Sequence, residues 1–353
     1  MMKDSKLRIG FVGVGFMGQL AHLRNYATLP DCEVAALAEL RPELGRKVAA
    51  AYGVPKVYGE AADMLAKEKL DGIVASQPFT RHGTLIPGLF SAKIPVFTEK
   101  PLAATVAMGE RIVKAAKDHG TWQMVGYHKR SDPATMYAKA EIDRLKASGE
   151  LGALRYVRVA MPAGDWVGGG MAGIIGTDEK GADLPSDPQE QGMSEAIWKD
   201  YFGFVNYYIH QVNLIRHLLG EPYQVVHADP SGVLFVGKSA SGVACTLEMT
   251  AYQTTIDWQE SALVAFEKGY VKLELPAPLA SNRPGRVEIF RDPGNGVTPT
   301  TTVPQLPWVH AMKQQAVNFL AALRGERTPP CDSIEALEDL KIARAYIRLW
   351  KGA

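Results

Sequence analysis

Residues 7–18 read Leu7-Arg8-Ile9-Gly10-Phe11-Val12-Gly13-Val14-Gly15-Phe16-Met17-Gly18, and they indicate the fold of the first part of the chain. Its apolar half predicts a buried strand over 7–12, and the glycines after it open a helix predicted over 16–28. In this context Gly13 permits a tight turn, Gly15 lets backbone amides approach a pyrophosphate, and Gly18 lets the helix pack closely on the sheet. The helix N-terminus adds partial positive charge. We therefore predict a dinucleotide site on Gly13, Gly15, Phe16, Met17 and Gly18.

An acidic residue follows this loop at the distance that ribose recognition requires. Glu39 closes a second predicted strand, 34–38, about 20 residues beyond Gly18, where a carboxylate hydrogen-bonds a ribose diol. Its charge would repel a 2′-phosphate, so we predict NAD in preference to NADP. Arg41 leaves the second possibility open, because a guanidinium at that point could accept the phosphate.

Short apolar runs alternate with helical segments through the first third of the chain. Further strands are predicted at 72–75, 95–97 and 121–126, and helices from 42, over 82–92 and over 106–119. This alternation indicates βαβ units and a parallel sheet covered on both faces. We predict an α/β fold whose first domain, residues 1–127, is a Rossmann dinucleotide-binding domain.

The rhythm changes after residue 127. Residues 128–332 are predicted to form an α+β domain with a large, open, mostly antiparallel sheet, and the helix at 333–353 to pack back on the first domain. A glycine-rich stretch from 162 to 188 is too long for an ordinary connection and indicates a functional or mobile loop. The predicted elements are helices over 133–148 and 201–219 and strands over 154–161, 224–228, 232–236, 243–251, 270–275 and 286–290.

Composition argues against several classes of protein. Basic and acidic residues number 39 and 38, so no charge excess invites nucleic acid or an anionic membrane. No apolar run approaches the length of a membrane span. Cys32, Cys245 and Cys331 are far apart, which predicts neither a disulfide framework nor a metal site. We expect a cytoplasmic protein with a small-molecule substrate.

Two further motifs carry a resemblance. Ser76-Gln77-Pro78-Phe79-Thr80-Arg81-His82 follows the fourth predicted strand, and Glu99-Lys100-Pro101 follows the next. With the glycine loop, they resemble the glucose–fructose oxidoreductase / inositol dehydrogenase / MocA (Gfo/Idh/MocA) family. The resemblance implies a nicotinamide cofactor across the carboxyl ends of the strands, a sugar or polyol substrate, and a homodimer or homotetramer built through the open sheet. It implies cofactor contacts from Ser76, Gln77, Pro78, His82, Glu99 and Lys100.

Oxidation of a secondary alcohol needs a group that takes the hydroxyl proton, within hydrogen-bond reach. Lys100 lies just past a strand's carboxyl end, where it could position the hydroxyl. His210 belongs to a helix whose positions 206, 210, 213 and 217 share one face, and we predict it to be the general base and acid. The hypothesis is that Lys100 and His210 converge beside the nicotinamide ring, with Asn206 as a third catalytic residue.

The helix departs from the family at two places. The family commonly carries Asp-x-x-x-His-x-x-Asp here, whereas this chain has Asn206 and Asn213 in the acidic positions. An amide can still hydrogen-bond a histidine or a hydroxyl, but it brings no negative charge. A substrate with an anionic group would therefore meet less repulsion.

The remaining candidates are contacts to substrate. Tyr127 and His128 follow the last strand of the first domain, and Trp166 could stack on a sugar face from the glycine-rich loop. Lys129 and Arg130 could reach an anionic group or remain solvated in the hinge. The sequence favours an NAD-dependent carbohydrate oxidoreductase. Two alternatives stay open: a glycoside-cleaving enzyme that uses transient oxidation and elimination, and a dinucleotide-sensing regulator without activity.

Overall fold

The computed structural model describes residues 5–181 and 183–352. The chain divides into two compact units. Residues up to 127, 171–194 and 315–340 form the first unit, and residues 128–170, 195–314 and 341 onward form the second. One division falls after residue 127. The first unit also includes two later segments. The last helix belongs to the first unit up to residue 340 and to the second unit beyond it.

A parallel sheet of six strands forms the centre of the first unit. Its order is β3-β2-β1-β4-β5-β6, and every neighbouring pair is parallel. Both faces are covered, so the strands are continuously apolar instead of alternating. The strands are β1 (Leu7–Val12), β2 (Cys32–Ala38), β3 (Val57–Tyr58), β4 (Gly72–Ala75), β5 (Val96–Glu99) and β6 (Gln123–Gly126).

Helices connect these strands, and local sequence sets several of their ends. The α2 helix has Pro42 at its first turn and ends on Gly53 with φ of 68°, a left-handed conformation that glycine adopts without steric cost. Thr105 caps α5 by accepting from the Met108 amide. The helices are α1 (Gly18–Leu23, which is π-helical, continued by Arg24–Tyr26), α2 (Pro42–Tyr52), α3 (Ala61–Lys67), α4 (His82–Leu89) and α5 (Val106–Asp118).

The strand order sets where a ligand can bind. The chain runs from β1 outward through β2 to β3, and then returns to β4 and proceeds the other way through β5 to β6. Right-handed crossovers therefore put α1 and α2 on one face of the sheet and α4 and α5 on the other. The direction reverses between β1 and β4, and the carboxyl edge at such a reversal is where dinucleotides bind.

The second unit is built on a mixed sheet of eight strands in the order β14-β13-β12-β11-β7-β10-β9-β8. Only the β7–β10 pair is parallel among these neighbours, which confirms the mostly antiparallel prediction. The strands are β7 (Leu154–Ala163), β8 (Tyr223–Ala228), β9 (Leu234–Ser239), β10 (Ala244–Gln253), β11 (Glu260–Phe266), β12 (Gly269–Leu275), β13 (Arg286–Arg291) and β14 (Thr300–Thr302).

Strand β11 lies in the middle of this sheet, although the sequence analysis did not predict it. Its residues Glu-Ser-Ala-Leu-Val-Ala-Phe alternate buried and half-buried. The inward positions include Glu260 and Ala262, which have low strand propensity, so composition hides the period of two. Pairing on both sides, with β7 and β12, supplies what local preference does not.

Four helices complete the structure. They are α6 (Pro133–Ser148), α7 (Glu195–Leu219), α8 (Ala311–Leu323) and α9 (Ser333–Lys351). In the second unit α6 packs on β12 and β13, and α7 packs on β7 and β10. In the first unit, Phe319 of α8 is fully buried beside Phe97 and Trp122. The end of α9 packs Tyr346 against Phe204 and Phe235 in the second unit.

Candidate functional site

The glycine loop, residues 13–18, has the geometry that a pyrophosphate site requires. Gly13 has φ of +83°, and a Cβ there would lie 2.4 Å from Gln77 Nε2 and 2.8 Å from the Ser76 carbonyl oxygen. A Cβ on Gly18 would lie 2.7 Å from the Gly13 carbonyl oxygen. At Gly15 the only described atom within 4 Å of that position is Arg41 Nη2, at 3.6 Å. Two glycines therefore serve packing, while Gly15 leaves room for a ligand.

Glu39 and Arg41 form an ion pair beside this loop. Arg41 donates from Nε to Glu39 Oε1 at 2.7 Å and from Nη2 to Oε2 at 3.1 Å. The Val14 amide donates to Glu39 Oε2 at 2.9 Å. Burial favours the neutral acid, but the hydrogen bonds from Arg41 and the backbone outweigh it and lower the pKa of Glu39. The carboxylate is thus charged at neutral pH and Arg41 is already engaged.

The segment after β4 is hydrogen-bonded to the end of β1, directly before the glycine loop. Gln77 donates from Nε2 to the Val12 carbonyl at 3.1 Å, and the Ser76 amide donates to the same oxygen at 2.9 Å. Pro78 is exposed. His82 is fully buried, and its ring nitrogens lie 3.1 Å from the carbonyl oxygens of Leu102 and Gln77. His82 therefore holds two loops together from inside the unit, and burial lowers its pKa.

The end of β5 carries Glu99, and Lys100 follows it directly. Glu99 Oε1 lies 2.7 Å from His22 Nε2 of α1, and its Oε2 accepts from the Lys100 amide at 3.2 Å. His22 is 1% exposed and packs edge-on against Phe97. The Lys100 side chain is half-buried, and the Lys100–Pro101 bond is cis. Glu99 is therefore fixed on both sides.

The polar face of α7 carries two buried residues, His210 and Asn213, that contact other side chains of the second unit. The rings of His210 and His128 meet edge to face with centroids 4.5 Å apart, and both residues are buried. Arg130 donates from Nε to Asn213 Oδ1 at 2.6 Å, and both are buried as well. Asn206 lies on an exposed part of the helix. The amide at position 213 thus serves a buried arginine.

A charged cluster that sequence reasoning missed lies next to this face. Lys129 pairs with the fully buried carboxylate of Glu260, which also accepts from Gln211 Nε2 at 2.7 Å and Trp258 Nε1 at 3.1 Å. Asp132 accepts from the amides of Ala134 and Gly285. Burial raises the pKa of Asp132 to about 6. Glu260 offered no sequence signal because strand β11 itself was not predicted.

The other predicted substrate contacts have diverse surroundings. Tyr127 is 2% exposed, whereas Trp166 is 38% exposed in the loop after β7. A small cleft in the second unit is lined by His128, Lys129, Asp132, Leu275, Pro276, Ala277, Pro278, Ala280, Arg283 and Ala311. Lys129 and Arg130, which the sequence left between substrate contact and solvated hinge, are both buried and paired.

Two kinds of feature are not found in the described part of the chain. Residues 5–181 and 183–352 contain no group of three or more His, Cys, Asp or Glu side chains placed to hold a metal ion. Over the same residues, no helix is both long and apolar enough to cross a membrane.

These residues fit a nicotinamide dinucleotide. The open space at Gly15 would admit a pyrophosphate, and Glu39 stands at the end of β2 where a ribose diol would bind. No side chain caps the N-terminus of α1, so its dipole faces the same space. Ser76 and Gln77, at the end of β4, and Glu99 and Lys100, at the end of β5, would hold the nicotinamide half.

Comparison with known proteins agrees with this reading. Residues 7–127 match the GFO_IDH_MocA family, which is described as an oxidoreductase family with an NAD-binding Rossmann fold. The inositol 2-dehydrogenase of Acidothermus cellulolyticus is 33% identical over 144 residues, which are 40% of this chain and 42% of that protein. The inositol 2-dehydrogenase of Burkholderia lata is 27% identical over 305 residues, which are 81% of this chain and 80% of that protein.

Solved structures share the fold over both units. A scyllo-inositol dehydrogenase from Lactobacillus casei superposes with a TM-score of 0.69 at 16% identity, covering 99% of this chain and 98% of the other. An NAD-binding oxidoreductase from Klebsiella pneumoniae gives a TM-score of 0.73 at 17% identity, with coverage of 99% and 98%. At these identities the likeness establishes the fold alone.

Proposed function

We propose that this chain, which belongs to the Gfo/Idh/MocA family of NAD-binding oxidoreductases, transfers a hydride between a secondary alcohol and nicotinamide. The alcohol would belong to a sugar, sugar acid, polyol or glycoside. The observation that carries the proposal is the alignment with the Burkholderia lata inositol 2-dehydrogenase, because it runs through both units and over 81% of the chain. Bound NAD would supply the hydride acceptor. The protein must then orient the alcohol and take its proton.

Lys100 is proposed to orient the hydroxyl. It directly follows β5 at the carboxyl edge of the sheet, and its backbone is tied to Glu99. Glu99 is in turn fixed by His22, so the base of the lysine is held while its side chain remains half-buried. An ammonium at this position stabilises negative charge that develops on the substrate oxygen.

His210 is proposed to take and return the proton. Its contact with the His128 ring limits its orientation, and an imidazole can both accept and donate a proton. Asn206, one turn earlier on α7, would hydrogen-bond the substrate or the histidine. Tyr127, His128 and Trp166 remain proposed substrate contacts.

Replacement of two residues tests these roles. Lys100→Ala and His210→Ala should each lower kcat/KM for the best substrate by at least 100-fold, since general acid–base catalysis contributes about 10²–10⁴-fold. Lys114→Ala and His227→Ala remove the same side-chain types from exposed positions and serve as matched controls. NADH formation would be measured against a panel of polyols and of neutral, amino and acidic sugars. Full activity in either active-site variant would contradict the assigned role.

The amide at position 206 suggests a substrate preference. Because Asn206 carries no charge where the family commonly has Asp, we propose that acidic sugars are accepted. Asn206→Asp should lower kcat/KM for an acidic sugar relative to its neutral counterpart. An unchanged ratio between the two substrates would remove this electrostatic argument.

The glycoside-cleaving alternative is separated by the products. Release of the aglycone without accumulation of NADH would favour transient oxidation followed by elimination. Stoichiometric NADH would favour simple dehydrogenation. A chain that binds NAD but turns over no carbohydrate would favour the regulatory alternative.

A further inference from the structure

The glycine-rich connection between β7 and α7 does not stay with the second unit. Its residues 171–181 and 183–194, which we call the strap, belong to the first unit. The strap is attached there by side chains spread along its length.

The first attachment of the strap along the chain is next to the glycine loop. Gln19 of α1 donates from Nε2 to the Ile175 carbonyl at 3.0 Å and accepts at Oε1 from the Ile175 amide at 2.9 Å. The same Nε2 donates to the Val14 carbonyl at 2.8 Å. Gln19 is 1% exposed. One buried amide therefore joins the strap to the loop that would hold the pyrophosphate.

Three strap carboxylates then bind the N-termini of three helices of the first unit. Glu179 accepts from the Glu43 and Leu44 amides of α2 at 3.0 and 2.8 Å. Asp187 accepts from the Gly83 amide of α4 and from Thr84 Oγ1, both at 2.7 Å. Glu190 accepts from the Val106 amide of α5 at 2.8 Å.

At α2 and α4 these contacts replace capping that the helices lack locally, whereas α5 also has its own cap, Thr105. The residues at the N-caps of α2 and α4 are Arg41 and Arg81, and neither side chain makes a capping hydrogen bond. An arginine has no acceptor for the orphan amides, so a carboxylate from elsewhere satisfies them. Each carboxylate also lies at the positive end of a helix dipole.

The attachment points of the strap lie on both faces of the parallel sheet. Gln19 and α2 lie on one face of the sheet, whereas α4 and α5 lie on the other, as the strand order requires. Since all these helix N-termini stand at the carboxyl edge, the strap crosses that edge at the reversal between β1 and β4. A dinucleotide bound there would follow the same course. At Gly15, only Arg41 Nη2 among the described atoms approaches within 4 Å of a Cβ position, so the strap leaves the pyrophosphate space open.

We propose that the strap forms the outer wall of the dinucleotide site: it encloses a bound NAD, must release its carboxylate anchors before the cofactor can leave, and places Glu179 where it excludes a 2′-phosphate. The exclusion of a 2′-phosphate depends on Arg41. Glu39 holds its guanidinium by two hydrogen bonds. Glu179 binds the Glu43 and Leu44 amides in the first turn of α2, directly after the N-cap residue Arg41, and its charge also acts on the guanidinium. A 2′-phosphate beside Arg41 would meet two carboxylates. The inference rests on the proposed function only in that NAD must bind.

Release of NADH measures the enclosure. The whole chain, loaded with NADH, is mixed with excess NAD, and the loss of NADH fluorescence is followed in stopped flow. Asp187→Asn with Glu190→Gln should release NADH at least tenfold faster than the native chain, with little change in the ratio of NADPH to NADH affinity. Glu179→Gln should both speed release and improve that ratio at least tenfold. Asp178→Asn removes a charge from an exposed neighbour and should change neither.

Proteolysis gives a test on the unmodified chain. Lys180 is exposed within the strap, and saturating NAD should slow tryptic cleavage after it at least fivefold. The proposal would be overturned if NADH left the variants no faster than the native chain, even where NADH binding itself changed. It would also be overturned if NAD did not slow tryptic cleavage after Lys180. Failure of the native chain to bind NADH would instead overturn the proposed function.

Discussion

The two glycines at the turn into α1 should respond oppositely to the same substitution. In Gly18→Ala the new methyl would lie 2.7 Å from the Gly13 carbonyl oxygen. That atom belongs to the backbone, so the loop and the helix must move apart. Overpacking of this kind costs about 1–3 kcal/mol. In Gly15→Ala the methyl would meet only Arg41 Nη2 among the described atoms, at 3.6 Å, which is ordinary contact.

Gly15→Ala should therefore fold as well as the native chain, and could gain about 0.4–1 kcal/mol because alanine restricts the unfolded state. The methyl would occupy the approach of the pyrophosphate. Affinity for NADH should consequently fall at least tenfold, which corresponds to about 1.4 kcal/mol. The two variants separate packing from ligand approach within one loop.

Thermal unfolding without cofactor and NADH titration by fluorescence measure both effects. A loss of 1 kcal/mol lowers Tm by about 2–4 °C in domains of 150–250 residues, so Gly18→Ala should melt several degrees below Gly15→Ala. Equal destabilisation of Gly15→Ala and Gly18→Ala, or native affinity of Gly15→Ala for NADH, would contradict this division of roles between the two glycines.

Three further predictions concern charges. Glu260→Gln leaves Lys129 buried beside a neutral partner and should reduce the free energy of unfolding by about 3–5 kcal/mol in urea denaturation; adding Lys129→Met should recover much of it, and no recovery would contradict the pairing. Because burial raises the pKa of Asp132 from 3.8 to about 6, its folded form binds more protons than the unfolded one, so native stability should fall by about 2–3 kcal/mol as pH rises from 4 to 6. Asp132→Asn should lack this fall in urea curves across that range, and an unchanged pH profile would count against it. Glu39→Ser frees Arg41 and should raise NADPH affinity relative to NADH at least tenfold in fluorescence titration, whereas an unchanged ratio would show that Arg41 does not face the ribose.

The first unit was largely predictable because its signals are local. Buried parallel strands appear as apolar runs, and the glycines at 13, 15 and 18 mark a turn, a close approach and a tight packing contact. The two-residue strand β3 and the helix α3 were missed. With only Val57 and Tyr58 in the strand, no period can be read from the sequence.

The second unit was less predictable because its centre depends on partners. Strand β11 forms between β7 and β12, and its buried Glu260 is stable there only because Lys129, Gln211 and Trp258 meet it from other segments. Asn213 was recognised as a departure from the family. Its partner Arg130 lies 83 residues away in the chain, at a distance that no sequence period reports.

The dinucleotide loop, the acidic residue after β2 and the family resemblance are all visible in the sequence alone, because each motif consists of residues a few positions apart on one strand, turn or helix. Three features follow from the folded backbone alone: Glu39 holds Arg41, His82 is enclosed, and the connection after β7 caps three helices of the first unit. A carboxylate in a loop has no periodic signature. Its partner is whichever orphan amide the folded backbone brings to it, so capping between distant segments exists only once the chain has folded.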